Sequence, residues 1–354
     1  MATSRIISAQ SQSPEEERQN WSLRPTRIEE YVGQHELLER VRIAVQAARE
    51  RKEPMEHVLL HGPPGLGKTT LAHVIAHEMG SHAHCVSGAA LTRASDLVGT
   101  LTRMGERDVL FIDEIHRLPP AVEEFIYPAM EDFRIDVTVD AGMHARTVSL
   151  TLKPFTLIGA TTRAGMLSAP LRSRFGISHH LRHYTPEELG IIVRRNCALL
   201  GMTDADEDAL DAIAHRSRGA PRIANRLLRR VRDYAQVRAE GRVRAGVIDE
   251  ALALEGVDDL GLDELDRRYL RTIATTYKGG PVGLEAVAAT LNEDAGTLED
   301  VVEPYLLQIG LLARTRRGRQ LTHEGARRLG APAPADLAPE SDADDGLPLL
   351  RAEP

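Results

Sequence analysis

The sequence predicts an α/β chain in three parts: a parallel sheet closing on a phosphate-binding loop, a small helical domain, and a C-terminal winged-helix domain. Three observations predict it. Over the first half, short apolar runs alternate with helical periodicities, and one run meets a Gly/Pro-rich turn. From Pro186 to Leu254 the patterns are helical only, with stops at Gly201 and Gly219. Beyond them come three more helical patterns and two short strands. At 354 residues the chain is long for one core, so two or three domains are expected. The boundaries read as a flexible segment 1–22, a sheet domain 23–184, a helical domain 185–256, a winged helix 257–330 and a tail 331–354.

Composition limits the function classes. Aromatic residues make up 4% of the chain, so its cores must be built from Leu, Val, Ile and Ala. Cys85 and Cys197 match no metal-ligand spacing and suit a reducing compartment. The start, with "PEEER", has the wrong charge for a secretory leader, and nowhere do eighteen apolar residues run together. A cytoplasmic protein with no membrane partner is expected. The formal charge of −8 is unevenly spread: the tail holds Asp336, Glu340, Asp342, Asp344, Asp345 and Glu353 against Arg351, and reads as disordered. Lysine occurs only at 52, 68, 153 and 278, leaving arginine the remaining cationic work.

The first strand and its loop read "HVLLHGPPGLGKTT". Gly62, Gly65, Gly67, Lys68 and Thr69 fit G-x-x-x-x-G-K-[ST] between a strand and a helix. Glycines let backbone N–H groups close around phosphate oxygens, and the helix start adds partial positive charge. Lys68 suits the terminal phosphates, and Thr69 suits Mg²⁺ through its hydroxyl. That a lysine-poor chain spends one here fits a compact ammonium.

A second buried strand, in "DVLFIDEIHRL", ends at Asp113 and Glu114. Carboxylates just beyond a parallel strand lie where ligands bind in such sheets. Asp113 is expected to assist the Mg²⁺ shell and Glu114 to activate the attacking water, which favours hydrolysis over phosphoryl transfer to a second substrate. A third strand, "FTLIGATT", ends in Thr161 and Thr162, small polar groups able to sense a γ-phosphate. Next, "APLRSRFGI" places Arg172 and Arg174 far in sequence from the phosphate loop, as candidates for a finger reaching into a neighbour's site.

Between these strands, residues 135–152 alternate apolar and polar positions about "DAGMHA", a β-hairpin turning near Ala141–Gly142. Ile135, Val137 and Val139 line one arm, and Val148, Leu150 and Leu152 the other. It either packs on its own domain or offers an apolar face to a partner. In the helical part, "RIANRLLRRVRDYAQVRAEG" sets Ile223, Leu227, Leu228, Val231 and Ala235 on one stripe and arginines on the other, a face that could bind DNA but is more commonly solvated. The last part ends with "LLARTRRGRQLT", two strands joined through Gly318. Arg314, Arg316, Arg317 and Arg319 crowd like charge there and call for an anionic partner. With no aromatic residue among them, phosphate contacts along a DNA backbone are expected, indifferent to base sequence.

Together "GPPGLGKTT", "LFIDEIHRL", "AMEDF", "IGATTRAG", "PLRSRFGI", "GGPVGL" and "RGAPRIANRLLRRVRD" resemble the RuvB family, Holliday-junction branch-migration motors of the AAA+ ATPases, from about Leu23 to Leu329. The resemblance implies an ATP hydrolase that moves duplex DNA in recombination and repair. It also implies a ring, six subunits in the family, working with RuvA docked on the 135–152 hairpin and with the resolvase RuvC. It places Leu23 and Arg24, and Glu131, Asp132 and Phe133, around adenine and ribose, with Gly65, Gly67, Lys68, Thr69 and Thr70 on the phosphates. Tyr184 would sit at the hinge between the two ATPase domains, Arg222 would reach the phosphates from the helical domain, and Arg174 would be the trans-acting finger. Arg314 and Arg319 match DNA contacts. Two positions depart from the pattern: Arg316 replaces a usual proline, and Ala295 stands where relatives can carry an arginine. Two other readings stay open on the residues alone, a clamp loader or protein remodeller and an ATP-switched DNA-binding regulator.

Overall fold

The structure is a computed structural model that describes residues 6–7, 21–139 and 146–332. The expected hairpin turn at Ala141–Gly142 and all but the first two residues of the acidic tail lie outside the described residues. The chain divides into two compact units, Met1–Gly261 and Leu262–Pro354.

In the first unit, α1 (His35–Arg51) precedes β1 (Val58–His61), α2 (Lys68–Met79), β2 (Ala83–Ser87), α3 (Ala94–Leu101), β3 (Val109–Asp113) and α4 (Pro120–Glu131). The hairpin β4 (Arg134–Val139) and β5 (Arg146–Thr151) follows, then β6 (Thr156–Thr161), α5 (Ala169–Ser173) and β7 (Ile177–His180). Five strands form a parallel sheet in the order β2-β3-β6-β1-β7. Every residue of β6 is buried, as are Val58, Leu59 and Leu60 of β1, because helices cover both faces. Since β6 lies between β3 and β1, the ends of those three strands bring Asp113, Thr161 and Gly62 to one edge, where the Gly62 amide donates to the Thr161 carbonyl at 3.1 Å.

The hairpin pairs Ile135 with Leu150 and Val137 with Val148. Ile135 and Leu152 are buried in the core under α4, Val137 and Leu150 pack against it, and Val148 is 42% exposed. The base of the hairpin is core, and its apolar face continues outward to Val148.

The helical part contains α6 (Pro186–Leu199), α7 (Glu207–His215), α8 (Pro221–Arg238) and α9 (Ala245–Leu254). Thr185 caps α6 with Pro186 at its first position, and its hydroxyl accepts from the Glu188 amide at 3.2 Å. The stripe expected on α8 is buried, but the opposite face is not simply solvated. Arg226 and Arg229 are buried, and Arg226 donates to the Ile6 carbonyl at 2.7 Å. Ile6 and Ile7, within the segment expected to be flexible, are themselves buried in the core. Two adjacent isoleucines gain more by leaving water than they lose in chain freedom once an arginine holds the carbonyl between them.

The second unit holds α10 (Glu264–Thr275), α11 (Leu284–Leu291), α12 (Ala295–Thr297) and α13 (Glu303–Gln308), the last two separated by a π-helical turn at Leu298–Val302. The antiparallel pair β8 (Leu312–Thr315) and β9 (Gly318–Leu321) and α14 (His323–Arg328) complete it. Val282 adds a bridge to β9, exchanging backbone hydrogen bonds with Arg319 at 2.9 and 2.7 Å. Gly318 has φ +133°, and a Cβ there would stand 2.4 Å from the Val282 carbonyl oxygen, so only glycine lets the strand turn in against that bridge.

Candidate functional site

Lys68 opens α2 and is buried, its Nζ donating to the carbonyls of Gly62 and Pro63 at 2.8 Å each. Burial pulls its pKa down to about 8, Asp113 and Glu114 act to raise it, and Arg222 lowers it further. Lys68 therefore feels two carboxylates from the end of β3 and an arginine from the first turn of α8, residues separated by up to most of the unit in sequence. Thr69 and Thr70 lie in the same helical turn as Lys68. Gly65 and Gly67 have φ of +79° and +96°. A Cβ on Gly67 would come within 2.6 Å of the Tyr31 hydroxyl.

Two tyrosines hold this loop from beneath. Tyr184 donates to the Leu66 carbonyl and Tyr31 to the Gly67 carbonyl, each at 3.3 Å. Burial raises the Tyr31 hydroxyl to about 12 and raises Tyr184 as well, so both stay donors. Tyr184, placed at a hinge by resemblance, also joins the helical part, its amide donating to the Gly219 carbonyl at 2.9 Å. Tyr31 escaped the sequence reading because one tyrosine in a loop carries no spacing signal.

Leu23 is buried, and its carbonyl accepts from Arg195 of α6 at 2.9 Å. The Arg24 guanidinium lies 4.9 Å over the Trp21 ring, which meets His73 of α2 edge-on at 4.5 Å. These contacts set residues 21–24 beside the phosphate-loop helix, where the resemblance puts the adenine end.

Asp113 closes β3, and Glu114 follows in a left-handed conformation, φ +52°, its amide donating to Asp113 Oδ1 at 3.0 Å. Thr161 closes β6, fully buried; its hydroxyl accepts from the Arg163 amide at 2.9 Å and lies 2.8 Å from His116 Nδ1. His116 Nε2 stands 3.3 Å from Glu114 Oε2. The sequence reading does not single out His116. Thr69 and Asp113 offer a hydroxyl and a carboxylate, the hard oxygen donors that Mg²⁺ takes. Among the described residues no group of three or more His, Cys, Asp or Glu is arranged to hold a metal ion.

The two finger candidates separate. Arg172 donates to the Ala164 carbonyl at 2.8 Å and braces its own loop. Arg174 stacks over Tyr127 at 4.0 Å, pairs with Glu131 at 3.0 Å and donates to the Pro170 carbonyl at 2.6 Å. It follows α5 and precedes β7, and so sits where the parallel strands begin. Glu131 lies there too, because the neighbouring Met130 carbonyl is 3.0 Å from His57 at the entrance to β1. The phosphate loop leaves the other end of β1, a strand length of roughly 13 Å away. Asp132 pairs with Arg134 at 3.5 Å, and Phe133 meets Phe155 edge-on at 5.9 Å. The implied placement of Glu131, Asp132 and Phe133 around the nucleotide is thus not found within one chain: α4 runs back from the carboxyl ends of the strands and delivers them to the opposite edge.

In the second unit the arginine cluster has an internal anion. Glu303, fully buried, accepts from Arg314 Nε at 2.8 Å, Arg319 Nε at 2.9 Å and the Tyr269 hydroxyl at 2.6 Å. Burial acts to raise its carboxyl, and the bonds from Arg319, Tyr269 and Arg314 outweigh this and lower it. Glu299 lies 3.5 Å from Arg314 and 3.4 Å from Arg319. The expectation that all four arginines await an outside anion is corrected for these two, which are cross-strand partners placed to face a helix carboxylate. Arg316 and Arg317, in the turn between β8 and β9, are exposed and form no ion pair with a carboxylate among the described residues.

Comparison with known proteins agrees with this geometry. Three family profiles match in order: the Holliday junction DNA helicase RuvB P-loop domain over residues 23–181, the RuvB AAA lid domain over 184–258, and the RuvB C-terminal winged helix domain over 259–330. The Holliday junction branch migration complex subunit RuvB of Desulfosudis oleivorans is 57% identical over 310 residues, 88% of this chain and 90% of that protein. The Thermotoga maritima RuvB Holliday junction branch migration motor superposes with a TM-score of 0.79 at 47% identity, covering 88% of this chain and all of that one. A point variant of that protein gives the same TM-score at 48% identity, covering 88% and 99%. With a parallel-sheet P-loop domain, an AAA lid and a winged helix in that order, the chain belongs to the RuvB family of AAA+ ATPases.

Proposed function

We propose that the chain hydrolyses ATP at the Lys68 loop and turns that chemistry into movement of duplex DNA at a four-way junction through its C-terminal wing. As a RuvB-family protein it is a branch-migration motor and an ATP hydrolase. The assignment to particular residues is our reading. Backbone amides from Gly65 to Thr70 hold the phosphates, Lys68 and Arg222 meet their charge, and residues 23–24 border the base. Mg²⁺, held by Thr69 and Asp113, would neutralise charge on the β- and γ-phosphate oxygens. Glu114 accepts a proton from the attacking water, and Thr161 reads the γ-phosphate.

One observation carries the assembly: Arg174 lies at the opposite end of β1 from the phosphate loop of its own chain. It serves a phosphate only in a second copy, which calls for a head-to-tail assembly; we take it to close as a ring, six subunits by family likeness. Glu131, Asp132 and Phe133 share that edge and go with Arg174 to the neighbour's nucleotide. The relatives' names tie them to a branch migration complex; we assign RuvA to the exposed end of the hairpin around Val148 and take RuvC as the junction's resolvase. On the wing, Arg316 and Arg317 make the backbone phosphate contacts, with the half-exposed Arg314 beside them and Arg319 chiefly holding the strands. For this motor we retain divisions at 184/185 and 256/257. No helix among the described residues is long and apolar enough to cross a membrane, and we place the protein in the cytoplasm with its DNA.

The test is Glu114→Gln. ATP binding is retained while turnover falls by about 10²–10⁴-fold, the usual worth of a general base, and junction movement stops in a synthetic four-way-junction assay with RuvA. Near-normal turnover would contradict the assignment. ATPase stimulation by an unfolded protein rather than by duplex DNA would instead favour a remodeller.

A further inference from the structure

We propose that His116 is a positioning residue that ties the Glu114 carboxylate to the Thr161 hydroxyl, so that the group activating water and the group reading the γ-phosphate are held as one unit. The inference rests on the roles given above to Glu114 and Thr161.

The placement of each hydrogen follows from what each atom can do. An ionised carboxylate only accepts, so the His116 Nε2 facing Glu114 Oε2 at 3.3 Å carries a hydrogen. A neutral imidazole then has a lone pair on Nδ1, and the Thr161 hydroxyl 2.8 Å away donates to it. The same hydroxyl oxygen accepts from the Arg163 amide at 2.9 Å, which leaves its single hydrogen for the histidine. Every proton is used once, and the chain runs from the backbone at 163 through Thr161 and His116 to Glu114. The imidazole side chain is 7% exposed, and its burial lowers its pKa, against the pull of Glu114, which keeps the ring neutral as this pattern needs.

Glu114 needs such a tether. Its left-handed backbone swings the side chain off the line of β3, and the carboxylate is about one-third exposed. Among the described residues, His116 is the only cationic-type side chain within ion-pair distance of it. Thr161 sits on β6, the strand directly hydrogen-bonded to the phosphate-loop strand β1. When the Thr161 hydroxyl turns its hydrogen to a terminal phosphate oxygen it leaves His116 Nδ1, so the change at the phosphate reaches the carboxylate through that one ring.

Three substitutions at one position test this, because side-chain amides mimic the two ring nitrogens separately. Gln carries an N–H near the place of Nε2, and Asn reaches only the place of Nδ1. His116→Ala lowers the kcat for ATP by about 10- to 100-fold, as a misaimed catalytic group does, while the dissociation constant for a fluorescent ATP analogue stays within about twofold. His116→Gln recovers most of the loss, and His116→Asn stays at the alanine level. Equal recovery by Asn and Gln, or an alanine variant with unchanged kcat, overturns the proposal, as does a lost affinity that shows His116 merely supports the fold of the site. Glu114→Gln in the same assay separates the layers. If it turns over normally, the reading of Glu114 fails and takes this inference with it; if it is inactive while His116→Ala is not, the inference alone fails.

Discussion

Lys68 reaches its working position at a cost that makes it sensitive to pH. Buried against the Gly62 and Pro63 carbonyls, it titrates at about 8, and a bound triphosphate would push that value back up. The protonated ammonium binds the anion, so ATP affinity is complete below about 8. Above it, affinity falls by up to about tenfold per pH unit until the pKa of the bound form is reached. Dissociation constants measured between about pH 7 and 9.5 check this, and a flat profile would remove Lys68 from the phosphates. At this scale much of the site was legible. Lys68, Asp113, Glu114 and Thr161 stand at strand ends or a loop whose chemistry is tied to fixed spacing. Tyr31 and His116 were not legible, because each acts through a contact between segments with no periodic relation in sequence.

The wing shows how an element can mislead when read for charge alone. Four arginines in eight residues suggest one cationic surface, yet strand pairing sets Arg314 opposite Arg319 on one face. Glu303, a residue with no local signature in "EDVVEPYLL", waits beneath that face just after a π-helical turn. Removing one partner of such a buried cluster costs about 3 kcal/mol or more. Glu303→Gln therefore lowers the melting temperature of the second unit, whereas Arg316→Ala with Arg317→Ala leaves it unchanged and flattens the salt dependence of DNA binding. Calorimetry and binding titrations in parallel separate the two, and an unshifted melting temperature for Glu303→Gln would show that the clamp is idle. The folded carboxyl lies below its ordinary value, so its contribution is present above the ordinary carboxylate range and is lost as pH falls through the folded pKa. The hairpin was better foreseen: its alternation gave the arms and their apolar face, and only packing under α4 decided how much of that face is covered.

For the molecule as a whole, the parallel strands carry the division of labour. Their ends gather the phosphate loop, Asp113, Glu114 and Thr161, and their beginnings gather Arg174 and Glu131. If the beginnings of one copy serve the ends of another, two inactive variants rescue each other. Lys68→Ala subunits lend an intact Arg174 to Arg174→Ala subunits, whose loops are whole, so mixing them restores ATP turnover that neither has alone. Failure to recover any turnover in a mixture shown to co-assemble would confine each site to a single chain. The order of domains and the candidacy of Arg174 as a finger were legible from pattern and family likeness, but the removal of Glu131 from its own phosphate loop was not, because only the course of α4 shows it.

The salt link from Arg174 to Glu131 has a further result. A guanidinium already engaged at home must let go, at least in part, before it can clasp a triphosphate next door. If fuel binds at a seam between copies, as proposed, it competes with that domestic attachment and adds cohesion between neighbours. By reciprocity, whatever draws the neighbours together also tightens their hold on fuel. Such a particle would loosen when starved and close when fed.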